Sequence, residues 1–453
     1  MVMEEKTVYI CDNCGHKEPK WTGRCPECGT WNSFSESKVS KKPVKLSKAQ
    51  EAKIAPVKLT ECTVGENDRI YSGIEEIDRV LGGGIMRGSS IMIGGEPGIG
   101  KSTLMLQTAA LIAENYKALY ISGEESAAQI KQRSERLGIK SRSLEVLCET
   151  NLDNVLTVLE KGKYDFVVLD SIQTMTSAEV GNTPGTPNQL KYCCGMLTDW
   201  AKRCGKIVMM IAHVTKDGLI AGPKTVEHMV DTVLYFESSG TDLRIVRAAK
   251  NRFGSIDEFG LFQMKQEGLV QIKNPESVFL NKRPDKDVPP GVSIVPVFEG
   301  TRVFLVEIQA LTVPAKSGIS RIYSDKIDAS VISRVAAILE KHCRLKFSDH
   351  DIYVNVAGGI RIRDVGTELA IALTLYSART GIPVPSDIIA SGELSLTGEV
   401  LKVKNLAGRE KSASEFGFKT FVGPGRVKTI TEGIKAVFGN ATSRAPEDTG
   451  TPQ

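Results

Sequence analysis

No stretch of the 453-residue sequence approaches the roughly 18 consecutive apolar residues of a membrane-spanning helix. The N-terminal M-V-M-E-E-K-T carries early acids and no apolar core, so no signal peptide is expected and the cytoplasm is the expected compartment. A bulk excess of one charge is also missing. The 58 Lys and Arg against 54 Asp and Glu leave a net +4, which permits an anionic partner without demonstrating one. Any nucleic-acid surface has to be local. A disulfide framework is absent too, because the ten cysteines are not spread in that manner. Cys62, Cys148, Cys193, Cys194, Cys204 and Cys343 are scattered, mostly in apolar or helical surroundings, and read as core thiols. What is left is an ordinary globular composition, 41% apolar and 25% charged, at a length that suits roughly three domains.

The remaining cysteines, Cys11, Cys14, Cys25 and Cys28, form two C-x2-C knuckles ten residues apart, each followed by a glycine. Four soft, charged ligands in so short a segment match a tetrahedral structural zinc, with disulfides or a rubredoxin-like iron site as the alternatives, and the metal replaces a core that ~30 residues cannot form. A site with four protein ligands leaves no open position for catalysis, so the ribbon, placed at 1–32, reads as a contact module. His16 lies between the knuckles as a spare residue. Trp21, Arg24 and Trp31 either stack on a nucleic-acid strand or serve as the unit's own packing. Residues 33–59 are rich in Ser, Lys and Ala, include Pro43 and Pro56, and read as a linker.

The stretch S-S-I-M-I-G-G-E-P-G-I-G-K-S-T-L-M-L-Q runs from an apolar strand through a glycine loop into a helical pattern, and satisfies G-x-x-x-x-G-K-S in the required context. Gly95, Glu96, Pro97, Gly98, Ile99 and Gly100 are expected to wrap phosphate oxygens with backbone amides. Lys101 reaches the β- and γ-phosphates, Ser102 holds magnesium, and Thr103 is a further hydroxyl beside the nucleotide. The cofactors expected here are therefore ATP and Mg2+, in addition to the ribbon's Zn2+.

In K-Y-D-F-V-V-L-D-S an apolar strand ends in Asp170, a carboxylate placed to hold magnesium through the ion's bound water or to cap the next turn. K-A-L-Y-I precedes S-G-E-E-S, so Glu124 and Glu125 sit at another strand end. Glu124 is the preferred base for the attacking water, and Glu125 is assigned to an S-x-x-E cap with Ser122. His213 ends K-I-V-M-M-I-A-H and either senses the γ-phosphate or caps the strand. Strands near 90, 117, 144, 164 and 206 alternate with helical spans, the pattern of an α/β sheet covered on both faces, in an ATPase core over 60–275. Two polar, glycine-rich connections carry Lys216 and Lys224, candidates for nucleic-acid contact or ordinary solvated lysines.

Taken in order, the ribbon, G-G-E-P-G-I-G-K-S-T, S-G-E-E-S, H-V-T-K-D-G, E-H-M-V-D-T-V-L-Y-F-E and K-N-R-F-G resemble the bacterial RadA (Sms) family of DNA repair proteins over almost the whole chain. The resemblance implies a RecA-like ATPase core that forms a ring, a hexamer being favoured. It also implies ATP turnover stimulated by single-stranded or branched DNA, branch migration of recombination intermediates, and a recombinase filament as a possible partner. It makes Gly95 to Ser102 the Walker A loop, Asp170 the Walker B acid, Glu124 the water-orienting residue, and Lys250, Asn251, Arg252, Phe253 and Gly254 the family signature.

A charged, proline-rich junction over 276–291 precedes a third domain over 292–440, which resembles the proteolytic domain of Lon in D-I-Y-V-N-V-A-G-G and G-E-L-S-L-T-G-E-V-L-K-V. Lon-type catalysis needs a serine activated by a lysine. The helix-start segment from Asp364 to Leu369 has Thr367 and no serine, and Ala407 stands where the lysine belongs, so no peptidase is expected. Arg361, Arg363, Lys402, Lys404 and Lys411 offer a basic surface for DNA or a plain solvated face. The tail over 441–453 is expected to be disordered.

The fold expected is thus α/β: a RecA-like P-loop core, an N-terminal C4 ribbon and a C-terminal α+β Lon-protease-like domain. An ATP-driven motor on DNA competes with a regulatory ATPase that switches partner binding without translocation. The signature pentapeptide is expected to leave the edge of the ATPase sheet, with Gly254 turning the chain and Phe253 anchoring two cations. Lys250 and Arg252 then reach a neighbour's γ-phosphate or the DNA backbone, a rigid guanidinium favouring the former for Arg252.

Overall fold

The computed structural model describes residues 6–12, 15–39, 58, 60, 68–181, 183–214, 224–238, 242–272, 278–280, 288–315, 320–324 and 326–439. The chain divides into two compact units, one of Met1–Ser238 with Arg244–Gln271, the other of Ser239–Leu243 with Ile272–Gln453.

In the first unit, β1 (Lys6–Cys11), β2 (Lys17–Glu18) and β3 (Phe34–Val39) form a small antiparallel sheet in the order β2-β1-β3, with Cys11 paired to Phe34. β3 falls inside the segment read above as linker. Its S-E-S-K run has no apolar period, but pairing with β1 supplies the backbone bonds that composition cannot signal. Next come the short β4 (Arg69–Ile70) and β5 (Ile85–Met86), paired antiparallel.

The core sheet is built from β6 (Ser90–Gly95), β7 (Ala118–Ser122), β8 (Glu145–Cys148), β9 (Phe166–Asp170), β10 (Ile207–His213), β11 (Thr232–Ser238), β12 (Leu243–Asn251), β13 (Phe259–Lys265) and β14 (Gly268–Gln271). Its order is β14-β13-β12-β11-β6-β10-β9-β7-β8. The six strands from β11 to β8 are parallel, and β12 turns antiparallel to β11. Successive residues feed opposite cores: Ile91, Ile93, Tyr120, Val168, Met209 and Ile211 pack with the helix Lys101–Ile112, whereas Met92, Leu119, Ile121, Val167, Leu169 and Met210 pack with Pro187–Cys204. A central parallel strand must be apolar on both faces, which is why these strands read as unbroken hydrophobic runs. Cys193 and Cys194 sit in the second core, where burial pushes both thiols up to about 12.

The second unit has a four-stranded sheet of β15 (Val292–Glu299), β16 (Arg302–Pro314), β17 (Ile322–Ser324) and β18 (His350–Val356) in the order β15-β16-β18-β17. Helices Ala329–Cys343 and Glu368–Thr380 pack within it, the latter against β15 and β16. Four short strands follow: β19 (Ile388–Ala390), β20 (Glu393–Leu394), β21 (Val400–Leu401) and β22 (Thr420–Val422). They pair as β19 with β22 and β20 with β21, and helices Leu406–Glu415 and Ile430–Phe438 complete the unit.

Candidate functional site

In a parallel sheet the chemistry gathers at the carboxyl ends of the strands. β6 ends at Gly95, from which the glycine loop runs into the helix that begins at Lys101. Gly100 caps that helix in the left-handed region at φ 114°, which is what calls for glycine; a methyl group there would also displace the flexible end of Met264, 2.7 Å away. Ile99 is tucked into the core, while Glu96, Pro97 and Gly98 are exposed at the crest and Ser102 and Thr103 are half-buried. Lys101 is buried, and its Nζ donates to the carbonyls of Gly95 at 2.6 Å and Glu96 at 2.9 Å. Burial lowers its pKa, opposed by the carboxylates of Asp170, Glu124 and Glu96.

Asp170 ends β9 and accepts a 2.6 Å hydrogen bond from the Tyr120 hydroxyl of β7. Burial, and then the Asp170 charge, drive that phenol well above its ordinary value, so it stays a donor. Glu124 lies just beyond β7 and accepts from Ser171 Oγ at 2.6 Å, with His213 Nε2 3.3 Å away. Burial raises its pKa, but the hydrogen bonds from Ser171 and His213 and the Lys101 charge outweigh it, and the carboxyl is held below its ordinary value. A carboxylate kept ionised can accept a proton from water.

Glu125 departs from the expected cap. Ser122 Oγ does accept from the Glu125 amide at 2.9 Å, but no helix starts there; the capping box is formed by Ser126 and Gln129. Glu125 instead pairs with Arg133 at 2.8 Å. The S-x-x-E of 122–125 is followed directly by the S-x-x-Q of 126–129, and the helix starts at the second serine. His213 pairs in register with Gly95, which sets its ring beside Glu124 at the strand ends.

In the ribbon, the thiol sulfurs of Cys11, Cys25 and Cys28 all lie within 4.8 Å of one another, with Cys11 and Cys28 3.6 Å apart. Zn–S bonds of 2.3 Å set a tetrahedral S–S edge of about 3.8 Å, so this donor set fits zinc. Cys14 lies outside the described residues. Gly15 N donates to the Cys11 carbonyl and Gly29 N to that of Cys25, the knuckle turns expected at these glycines. Trp21 and Trp31 are 53% and 68% exposed, so they do not pack the ribbon; Arg24 stands 5.7 Å from the Trp31 ring. His16 pairs with Glu18 at 2.9 Å. Asn188, at the start of the helix Pro187–Cys204, donates to the Cys11 carbonyl at 2.6 Å.

Residues 58–219 match the family model described as "AAA domain", residues 9–36 that of "Rubredoxin metal binding domain", and residues 321–426 that of "Subunit ChlI of Mg-chelatase". The chain is 50% identical over 426 residues to the DNA repair protein RadA of Treponema pallidum, covering 94% of this chain and 93% of that one. The corresponding proteins of Bacillus subtilis and Brucella abortus are 42% and 40% identical, each covered over nine-tenths of both chains. The chain belongs to the family of the DNA repair protein RadA.

In this RadA-family chain the signature pentapeptide begins with the last two residues of β12, Lys250 and Asn251, and runs on past its end; β12 lies between β11 and β13 and is interior to the sheet, not its edge. A register shift at Val233/Leu234 leaves Ala249 as a bulge just ahead of Lys250. Lys250 Nζ donates to the carbonyls of Glu227 at 3.1 Å, His228 at 3.0 Å and Val230 at 2.7 Å, at the C-terminal end of the helix Lys224–Met229. Arg252 pairs with Asp231 at 3.2 Å and keeps about half its side chain in solvent. The cations are therefore held by the 227–231 segment, not by Phe253, whose carbonyl instead accepts from Arg69. Gly254 is needed for a close approach: a methyl group there would lie 2.9 Å from Gly82 Cα, and its φ is not left-handed. Lys216 lies outside the described residues, and of Lys224 only the backbone is described.

Tyr120, Arg133, Ser171 and Asp231 carry the site's connections and were not singled out from the sequence. Asp231 is 2% exposed and binds Ser90 N and Oγ as well as Arg252, the one weak signal being a carboxylate inside H-M-V-D-T-V-L.

In the second unit, Thr367 is buried and donates its hydroxyl to the Asp364 carbonyl at 2.7 Å. The guanidinium of the fully buried Arg409, two residues past Ala407, pairs with Asp364 at 2.7 Å and crowds Gly366. Arg361, Arg363, Lys402, Lys404 and Lys411 are all exposed.

Proposed function

We propose that this chain is a Mg2+-dependent ATPase of DNA recombination and repair whose turnover is coupled to single-stranded or branched DNA. The observation that carries this is the convergence of Lys101, Asp170 and Glu124 at the carboxyl ends of the parallel strands; Arg252, half-exposed, lies at the opposite end of the sheet, beside Asp231 and the start of β6. In this reading Gly95 to Thr103 hold the phosphates, and Ser102 with Asp170 places magnesium. The cation neutralises charge on the β- and γ-phosphates when bound. Glu124, kept ionised by Ser171 and His213, orients and deprotonates the attacking water.

Arg252 completes the site of a neighbouring copy in a ring, favoured as a hexamer. Among the described residues its one ion pair is to Asp231, whereas Lys250 is spent on three carbonyls and acts as a clamp on the 227–231 segment. The family relationship supports branch migration of recombination intermediates and a recombinase filament as a partner. The C-terminal unit is read as a Lon-protease-like scaffold without a nucleophile and base, its basic face open to DNA. Cys11, Cys25 and Cys28, with Cys14 as fourth ligand, would hold one structural Zn2+.

The deciding experiment measures ATP turnover with and without single-stranded DNA across a salt series. Stimulation that fades as salt rises is the expected result, since phosphate contacts release counterions. Turnover indifferent to DNA, with ATP-dependent partner binding, favours the regulatory alternative. Arg252→Ala is expected to retain nucleotide binding and lose DNA-stimulated turnover by at least about tenfold, as for an arginine donated to transition-state charge. Metal analysis is expected to find one zinc per chain in the parent protein and none after Cys25→Ser, because three sulfurs leave the tetrahedron open.

A further inference from the structure

We propose that Tyr120 is a positioning residue for magnesium: its hydroxyl occupies Asp170 Oδ2 and commits Oδ1 to the cation. The inference rests on the ATPase reading above. Tyr120 lies in β7 opposite Val168 of β9, two residues before the register pair Ser122 and Asp170, so all four share one face of the sheet. Two residues of strand span about 6.6 Å, which is the reach of a tyrosine from its Cα to its hydroxyl. The ring therefore lies along the strands inside the apolar core and delivers its oxygen to the strand end, 2.6 Å from Asp170.

The core alone has no use for that hydroxyl. Tyr120 is fully buried, in the company of Val168, Leu104 and Met105, where phenylalanine fills the same space without a polar atom to satisfy. A second contact fixes the direction of the proton. Arg133, in the helix Ala127–Arg136, donates from its NH2 group to the Tyr120 oxygen at 3.3 Å. An arginine only donates, so the phenolic proton is directed to Asp170 and cannot turn back. Arg133 is held in turn by Glu125 at 2.8 Å.

The chain Glu125–Arg133–Tyr120–Asp170 thus ties the glutamate loop to the end of β9. Ser171, the next residue, ties it a second time through Glu124. With Oδ2 engaged, Oδ1 is left without a hydrogen bond among the described residues. The carboxylate then presents one lone oxygen in a set direction, where it would hold a magnesium ion, directly or through the ion's waters.

The test uses the full chain and a fluorescent ATP analogue, titrated with Mg2+ and followed by anisotropy. Tyr120→Phe is expected to raise the Mg2+ concentration at half-saturation about tenfold, the usual effect of removing a hydrogen bond that orients a metal ligand. Analogue binding in EDTA is expected to be unchanged. Arg133→Met is expected to shift the midpoint the same way by about half as much on a logarithmic scale, since it frees the phenol without deleting it. An unchanged Mg2+ midpoint in folded Tyr120→Phe overturns the proposal. If that variant does not fold, an unchanged midpoint in Arg133→Met overturns it instead. Lys101→Ala serves as the control: if it binds the analogue as tightly as the parent, the nucleotide-site reading itself fails. If it loses binding while Tyr120→Phe leaves the midpoint unmoved, only the role of Tyr120 fails.

Discussion

Lys101→Ala is expected to reduce ATP turnover by at least about 10³-fold, a loss of roughly 4 kcal/mol of transition-state stabilisation. The side chain is 4% exposed, and its charge sits where Asp170 and Glu124 also converge. In that partly desolvated setting a cation on the transferring phosphate is worth far more than in water. Its two carbonyl partners, Gly95 and Glu96, lose a donor in the variant. That costs about 1 kcal/mol or somewhat more, far less than the catalytic loss. Steady-state hydrolysis beside a thermal melt separates the two: a large drop in turnover with a melting point lowered by only a few degrees is the expected pair. Turnover within tenfold of the parent removes Gly95 to Ser102 from the reaction.

Arg409→Met is expected to destabilise the C-terminal unit by about 3–5 kcal/mol, the cost of stripping one partner from a buried ion pair. Arg409 is fully enclosed and bonds Asp364, the Pro296 carbonyl at 2.5 Å and the Lys404 carbonyl at 2.9 Å. Asp364 is itself committed, accepting from Phe298 N at 2.8 Å and Gly366 N at 2.9 Å. Removing the guanidinium leaves its charge facing a methionine. All three tryptophans, Trp21, Trp31 and Trp200, belong to the first unit, so their fluorescence does not report this loss. Native-state hydrogen exchange over 368–380 does, and protection there is expected to fall while that of β6 and β9 is retained. Equal protection in both proteins means that Arg409 is not what holds this region.

The same arginine shows how far the sequence reading reached in this unit. Thr367 and Ala407 could be weighed from the sequence because a Lon-like pattern would call for a serine and a lysine there, position by position. What fills the space was not visible: Arg409 reads as one more surface cation in a charged helix, and only its packing against Gly366 and Pro296 makes it a core residue.

A similar division runs through the pentapeptide. Its residues stood out as a family signature, yet their partners lie elsewhere. Lys250 reaches back 20 to 23 residues to helix-end carbonyls, and Gly254 meets Gly82. The expected edge position failed because two more strands, β13 and β14, add to the sheet beyond β12.

The sequence by itself determined what is local and chemically dense: the glycine loop with Lys101, the cysteine knuckles, and the carboxylates at the ends of apolar strands. Each is a short motif whose residue types have few other uses, so a handful of positions carries the inference. Only the tertiary structure decided which carboxylate meets which donor. Tyr120 and Asp170 are 50 residues apart, Ser171 and Glu124 are 47 apart, and Asp231 and Ser90 are 141 apart. Parallel strands bring distant segments side by side at a register set by buried side chains on both faces, and no local pattern records that pairing.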